Sequence, residues 1–190
     1  MKYVLIALAL CMVSLSNAQY KDTTYKLDAS ASTIKWKGSY SFLLTSYNGR
    51  VQFYNGRLST VNNQITGGEF TIDMTTIDNE PNSDAKGPIE HLRDEDFFDV
   101  KKFPTAHLKI TDAEYIPKEN RHKFTADFTI KGVTQQQEFW GVADASTNTI
   151  STVFRIDRTR WGITYNHKLK DKAISDAIEF EVTLIFKEGV

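Results

Sequence analysis

The run His91, Asp94, Glu95 and Asp96 has the residue types of a metal site, because an imidazole and carboxylates at short helical spacing can converge on one cation. A solvated helix face carries the same residues at the same spacing. His107, His122 and His167 stand singly, with no second ligand at paired spacing. The region therefore supports one alternative function, a periplasmic metal-dependent enzyme working through His91 and Asp96.

A second group, Arg155, Arg158 and Arg160 beside Trp161, could hold an anionic head group by charge-assisted hydrogen bonds. If the run is extended, Arg158 and Arg160 share one face and Arg155 points to the other. Asp157 is a potential partner within the chain, and structural ion pairing is the competing reading. Gly-x-Ser-x-Gly, His-Glu-x-x-His and a Gly-rich phosphate loop do not occur. No catalytic residue, metal or cofactor is nominated, and the chain is read as a binding protein and not an enzyme.

The elements that would carry these residues read as strands. Phe70, Ile72 and Met74 alternate with Thr71 and Asp73, the period of a strand with one buried and one wet face. The same alternation runs through Phe124–Ile130 and Ile178–Leu184. Further strands are read at Thr33–Tyr40, Arg50–Tyr54, Thr105–Thr111, Gln135–Val142 and Thr149–Ile156. Gly67-Gly68, Asn48-Gly49, Asn55-Gly56 and Asn62-Asn63 supply turn signals between strands. One charged stretch, Asp84 to Lys102, lacks alternation and contains Pro88. It is read as a short helical excursion whose buried side is Ile89, Leu92, Phe97 and Phe98, packed on the barrel as a lid or gate.

The fold expected is all-β, an antiparallel barrel of about eight strands, since closure leaves no exposed sheet edge. Aromatic residues make up 12% of the chain, and Trp36, Phe53, Phe70, Phe124, Phe128 and Phe154 fall on the presumed inward face. A barrel of that size is either filled by side chains or holds one small ligand. Alternation alone leaves both open, so an interaction module with a filled core is a further alternative.

The ends and the charge bound the setting. Lys2 followed by apolar Val4–Leu15 and small residues at Ser16 and Ala18 reads as a secretory signal peptide cleaved after Ala18. The apolar stretch is about a dozen residues, short of the roughly 20 that a spanning helix needs, so no transmembrane segment is expected. Removing 18 of 190 residues leaves 172, residues 19–190, a comfortable single domain. The one cysteine, Cys11, lies in the leader, where a lipoprotein reading is disfavoured by Leu10 before it. Without Lys2 the 23 basic side chains become 22 against 24 acidic ones, and they are scattered, so nucleic acid is not an expected partner.

At Gly67-Gly68-x-Phe70-x-Ile72-Asp73 and at His91-Leu92-x-x-x-Asp96-Phe97-Phe98-Asp99-Val100-x-x-Phe103-Pro104-x-Ala106, the chain resembles the YceI-like family of bacterial exported proteins. The resemblance continues through Thr129-Ile130-Lys131-Gly132-Val133-Thr134, Arg160-Trp161-Gly162-Ile163 and Ile174-Ser175-Asp176, from about Tyr25 to Phe186. It implies a lipocalin-like, extended barrel in the periplasm, with a long cavity holding a polyisoprenoid or other long-chain lipid and no catalytic residues. A homodimer is compatible with it. Leu108 stands where relatives often have Phe, and the Asn79–Gly87 loop is rich in small and charged residues. The ligand-binding wall expected here comprises Trp36, Phe53, Phe70, Ile72, Met74, Phe98, Leu108, Phe128 and Phe154, with the lipid's polar end near the loops.

Overall fold

The computed structural model describes residues 20–39, 46–81, 88–164 and 174–187. Residues 1–18, expected above to be a signal peptide and including Cys11, lie outside the described residues, as do Tyr40, His167 and residues 84–87. Nine strands are present there: β1 Asp22–Lys26, β2 Thr33–Ser39, β3 Ser46–Val61, β4 Gln64–Asn79, β5 Thr105–Ile116, β6 Arg121–Ile130, β7 Val133–Asp144, β8 Thr149–Asp157 and β9 Ala177–Ile185. All pairings are antiparallel. Neighbouring strands follow the order β2-β9-β8-β7-β6-β5-β4, and β3 closes the ring by pairing with both β4 and β2. The result is a closed eight-stranded barrel of the lipocalin-like kind, with β1 added along the far half of β3.

Alternation produces this shape directly. In β2, Ile34 and Trp36 are buried between exposed Thr33, Lys35 and Lys37, so one face of each strand lines the interior and the other is wet. The two long strands β3 and β4 bend around the barrel by breaking register. Arg50 pairs with Asp78 and Gln52 with Asp73, which leaves extra β4 residues to bulge. The bulge is held locally: Thr76 donates its hydroxyl to the Asp73 carbonyl at 2.7 Å and accepts from the Gln52 N–H at 2.9 Å.

Three of the expected turns are corrected. Asn62-Asn63 does turn, both residues having positive φ, between β3 and β4. Asn48-Gly49 and Asn55-Gly56 instead lie inside β3, and Gly67-Gly68 lies inside β4. These glycines make space rather than turns. A Cβ at Gly49 would stand 2.1 Å from the Trp36 ring and 2.2 Å from the Asp78 carbonyl, and one at Gly56 would stand 2.5 Å from the Phe70 ring. Inward aromatic rings lie across glycine backbone, which is how a narrow barrel accommodates them.

The charged excursion is shorter than expected. Helix α1 covers only Ile89–Arg93, and turns carry the chain on to β5. Its expected buried side is found: Ile89, Phe97 and Phe98 are buried and Leu92 packs against the core. The run after β8 is not extended. It winds into a 3₁₀ turn at Arg158–Trp161, begun by Asp157, whose carboxylate accepts from the Thr159 N–H at 3.0 Å.

Candidate functional site

The barrel is not filled. It encloses a cavity of about 460 Å3, within the range of small-molecule sites. All nine residues expected on its wall line it: Trp36, Phe53, Phe70, Ile72, Met74, Phe98, Leu108, Phe128 and Phe154. They come from β2, β3, β4, the segment after α1, β5, β6 and β8, so closure of the sheet is what brings them together.

Sequence reasoning passed over other members of the wall. Phe139 and Phe180 line it too, and form a run of rings across the sheet: Phe124 with Phe139 at 5.4 Å, Phe139 with Phe154 at 4.9 Å, Phe154 with Phe180 at 5.5 Å between centroids. Phe180 shares its face with Ile178, Val182 and Leu184, a signal visible in the alternation. Phe139 sits among glutamines at inward positions, which hid it. Trp36 is buried, and its indole Nε1 has no hydrogen-bond partner among the described residues.

Polar groups reach the wall mainly at one end. Ser39 at the end of β2, Tyr47 at the start of β3, His91 of α1, Arg158 of the 3₁₀ turn and Ser175 before β9 all belong to the helical end of the barrel. Arg158 has no exposed surface. Its guanidinium donates to the carbonyls of Ile163 at 2.6 Å, Ser175 at 3.2 Å and Ile174 at 3.4 Å, and to Asp176 Oδ1 at 3.1 Å. It also lies 5.8 Å from the Phe97 ring centroid, a cation–π distance that ties the 3₁₀ segment to the segment after α1.

The arginine group is therefore structural, and the anion-site reading is corrected. Arg155 pairs with Glu179 on β9, with Nε 2.8 Å from Oε2. Arg158 pairs with Asp176 and not with Asp157, and Arg160 binds the Gln136 carbonyl and the Gln137 side chain on β7. The reason is the 3₁₀ turn: a 3₁₀ helix has three residues per turn, so Arg158 and Arg160 no longer share a face, and one is buried while the other is exposed.

His91, Asp94, Glu95 and Asp96 do not converge either. Among the described residues no group of three or more His, Asp or Glu side chains is placed to share an ion. Asp94 follows the last turn of α1, and its carbonyl accepts from the Phe97 and Asp99 N–H groups. The residues whose ionisation is shifted lie away from the cavity wall. Hydrogen bonds from Ser30 hold Asp28 below the usual carboxylate range, bonds from Ser146 do the same for Asp144, and burial holds His122 below the ordinary imidazole value.

Among solved structures, BcnA of Burkholderia cenocepacia is similar at 18% identity with a TM-score of 0.70, over 84% of this chain and 98% of that one. A polyisoprenoid-binding domain from Saccharophagus degradans, implicated in plant cell wall breakdown, is similar at 14% identity with a TM-score of 0.58, over 86% and 97%. These likenesses bear on the fold. No curated protein sequence matches the chain, and no helix among the described residues is long and apolar enough to cross a membrane. The model of the YceI-like domain matches residues 25–186, the span of the closed barrel with its cavity, and the chain belongs to the YceI-like family.

Proposed function

We propose that this protein is an exported carrier that holds an isoprenoid or similar long amphiphile in the barrel interior, without catalysing a reaction on it. The observation that carries the reading is the cavity of about 460 Å3 walled by aromatic and aliphatic side chains from all eight barrel strands and the segment after α1. Apolar surface leaving water is the driving force. At roughly 25 cal/mol per Å2, a chain burying on the order of 400 Å2 gains about 10 kcal/mol before ordering and association costs. Micromolar binding then needs no charged anchor.

The resemblance in fold to a polyisoprenoid-binding domain supports the isoprenoid class. The polar end of the ligand belongs at the helical end, near Tyr47, His91 and Ser175, where the wall offers hydrogen-bonding groups. The signal-peptide pattern of residues 1–18 supports passage to the periplasm, with residues 19–190 as the mature domain. The test is titration with farnesol, solanesol and a short-chain ubiquinone, followed by quenching of tryptophan fluorescence. Saturable binding that tightens with chain length is expected; no saturable quenching by any of the three would sink the proposal.

A further inference from the structure

The ladders that close the barrel differ in length, and the one between β7 and β8 is the shortest. Strands β7 and β8 pair from Asp144↔Thr149 to Gly141↔Thr152, and there the ladder stops. Both strands continue, β7 back to Val133 and β8 on to Asp157. On its other side each is engaged along this stretch, β7 with β6 from Val133 to Gly141 and β8 with β9 as far as Asp157. The unpaired stretches therefore face each other across the seam.

The β7 edge shows what replaces the ladder. Carbonyls two residues apart point the same way along a strand, and those of Gln136 and Glu138 accept from side chains: Arg160 Nη2 at 2.9 Å and Gln137 Nε2 at 3.0 Å. Arg160 completes a clasp, accepting at its own carbonyl from Gln135 Nε2 at 2.9 Å and donating Nη1 to Gln137 Oε1 at 3.3 Å. All of these contacts are exposed to solvent, where individual polar bonds contribute little and break readily.

Between the clasp and the end of the ladder, Glu138–Trp140 and Val153–Arg155 flank a stretch of seam without ladder pairing, the β7–β8 window. Its inner side is covered by the stacked rings of Phe139 and Phe154, both part of the cavity wall. Its outer lips are apolar: Trp140 is 37% and Val153 62% exposed. An apolar chain crossing here meets apolar groups outside, in the window and inside.

We propose that the β7–β8 window, latched by Arg160, is the lateral passage by which a long apolar chain enters and leaves the cavity. The inference rests on the carrier reading above. Opening requires release of the Arg160 clasp and rotation of two rings, and the short β7–β8 ladder holds fewer paired backbone groups than any other seam of the barrel, each of which carries a penalty when parted.

The test uses Glu138→Cys/Arg155→Cys in a chain also carrying Cys11→Ser, bridged by dibromobimane, with the unbridged variant as reference. Uptake of pyrene-labelled palmitate from phosphatidylcholine vesicles, and its release to empty vesicles, are followed by stopped flow. Bridging is expected to slow both rates about tenfold with the equilibrium capacity kept. The same bridge at Val142→Cys/Ser151→Cys, within the paired ladder, should leave the rates as they were. Arg160→Ala, which frees the clasp, should speed both. Unchanged rates in the bridged window variant would overturn the lateral passage alone, while absence of probe uptake by the unmodified protein would overturn the carrier reading with it.

Discussion

The Arg158 guanidinium, with no exposed surface, meets the Asp176 carboxylate at 3.1 Å across the helical end of the barrel, while Asp176 itself is 64% exposed. The pair is thus asymmetric: a buried cation that also serves three backbone carbonyls, and a carboxylate largely in water.

Removing the buried partner should be the costly change. Arg158→Met strands the carbonyls of Ile163, Ile174 and Ser175 and is expected to destabilise the protein by about 3 kcal/mol. Asp176→Asn keeps an acceptor in a solvated position and should cost less than about 1 kcal/mol. Urea unfolding of the two variants gives the comparison, and equal losses would contradict the asymmetry.

The glycines inside β3 offer a second contrast. Gly49→Ala drives a methyl group against the Trp36 ring and the Asp78 carbonyl, and overpacking of that kind costs about 2–3 kcal/mol or prevents folding. Gly38→Ala, with nothing within 4 Å of the new Cβ, should be neutral or slightly stabilising. Thermal melts of both variants measure the difference.

His122 links stability to pH. Its ring stacks on Phe124 at 5.6 Å, its Nδ1 has no partner among the described residues, and burial lowers its pKa from 6.5. The folded state therefore binds this proton less readily than the unfolded state does, so stability is full above the ordinary imidazole value. It is lost as pH falls through 6.5 towards the depressed folded value. His122→Gln should flatten that part of a urea midpoint-against-pH curve. An unchanged slope would show that other groups set it.

Cavity size, and not charge, should govern binding. Phe128→Trp adds volume to the wall, where the Phe128 ring lies 6.0 Å from Phe154 and 6.4 Å from Trp161. It should shorten the longest polyprenol accepted, and unchanged chain-length preference would place this side chain outside the ligand's path. Raising salt from about 0.05 M to about 0.5 M should alter solanesol affinity by less than about twofold, because a buried apolar contact is not screened.

Much of this architecture was legible in the residues. Phe70-x-Ile72-x-Met74 and Phe124-x-Ala126-x-Phe128 announce one buried face, and the eight wall residues read on strands line the cavity, joined by Phe98 from the segment after α1. Alternation is local and survives in the fold because the sheet closes with that face inward. What failed was non-local. Asn-Gly pairs read as turns until Trp36 and Phe70, distant in sequence, are seen to need the space above Gly49 and Gly56. Strand β1 is short and buries neither face, Thr23 and Tyr25 being only partly covered, so its alternation is weak. Arg158 looks like a surface cation because the carbonyls that surround it come from segments on either side of residues 165–173. Inward glutamines at 135 and 137 make sense only beside Arg160.

The most direct measurement is native mass spectrometry of the protein purified from its own host without detergent, with organic extraction of whatever it carries. The expected result is a complex heavier than the chain by one long-chain, largely apolar molecule, which the extract identifies as an isoprenoid or similar amphiphile. A chain of bare mass, an extract free of lipid and no uptake of isoprenoid quinones on incubation would contradict carriage in the cavity.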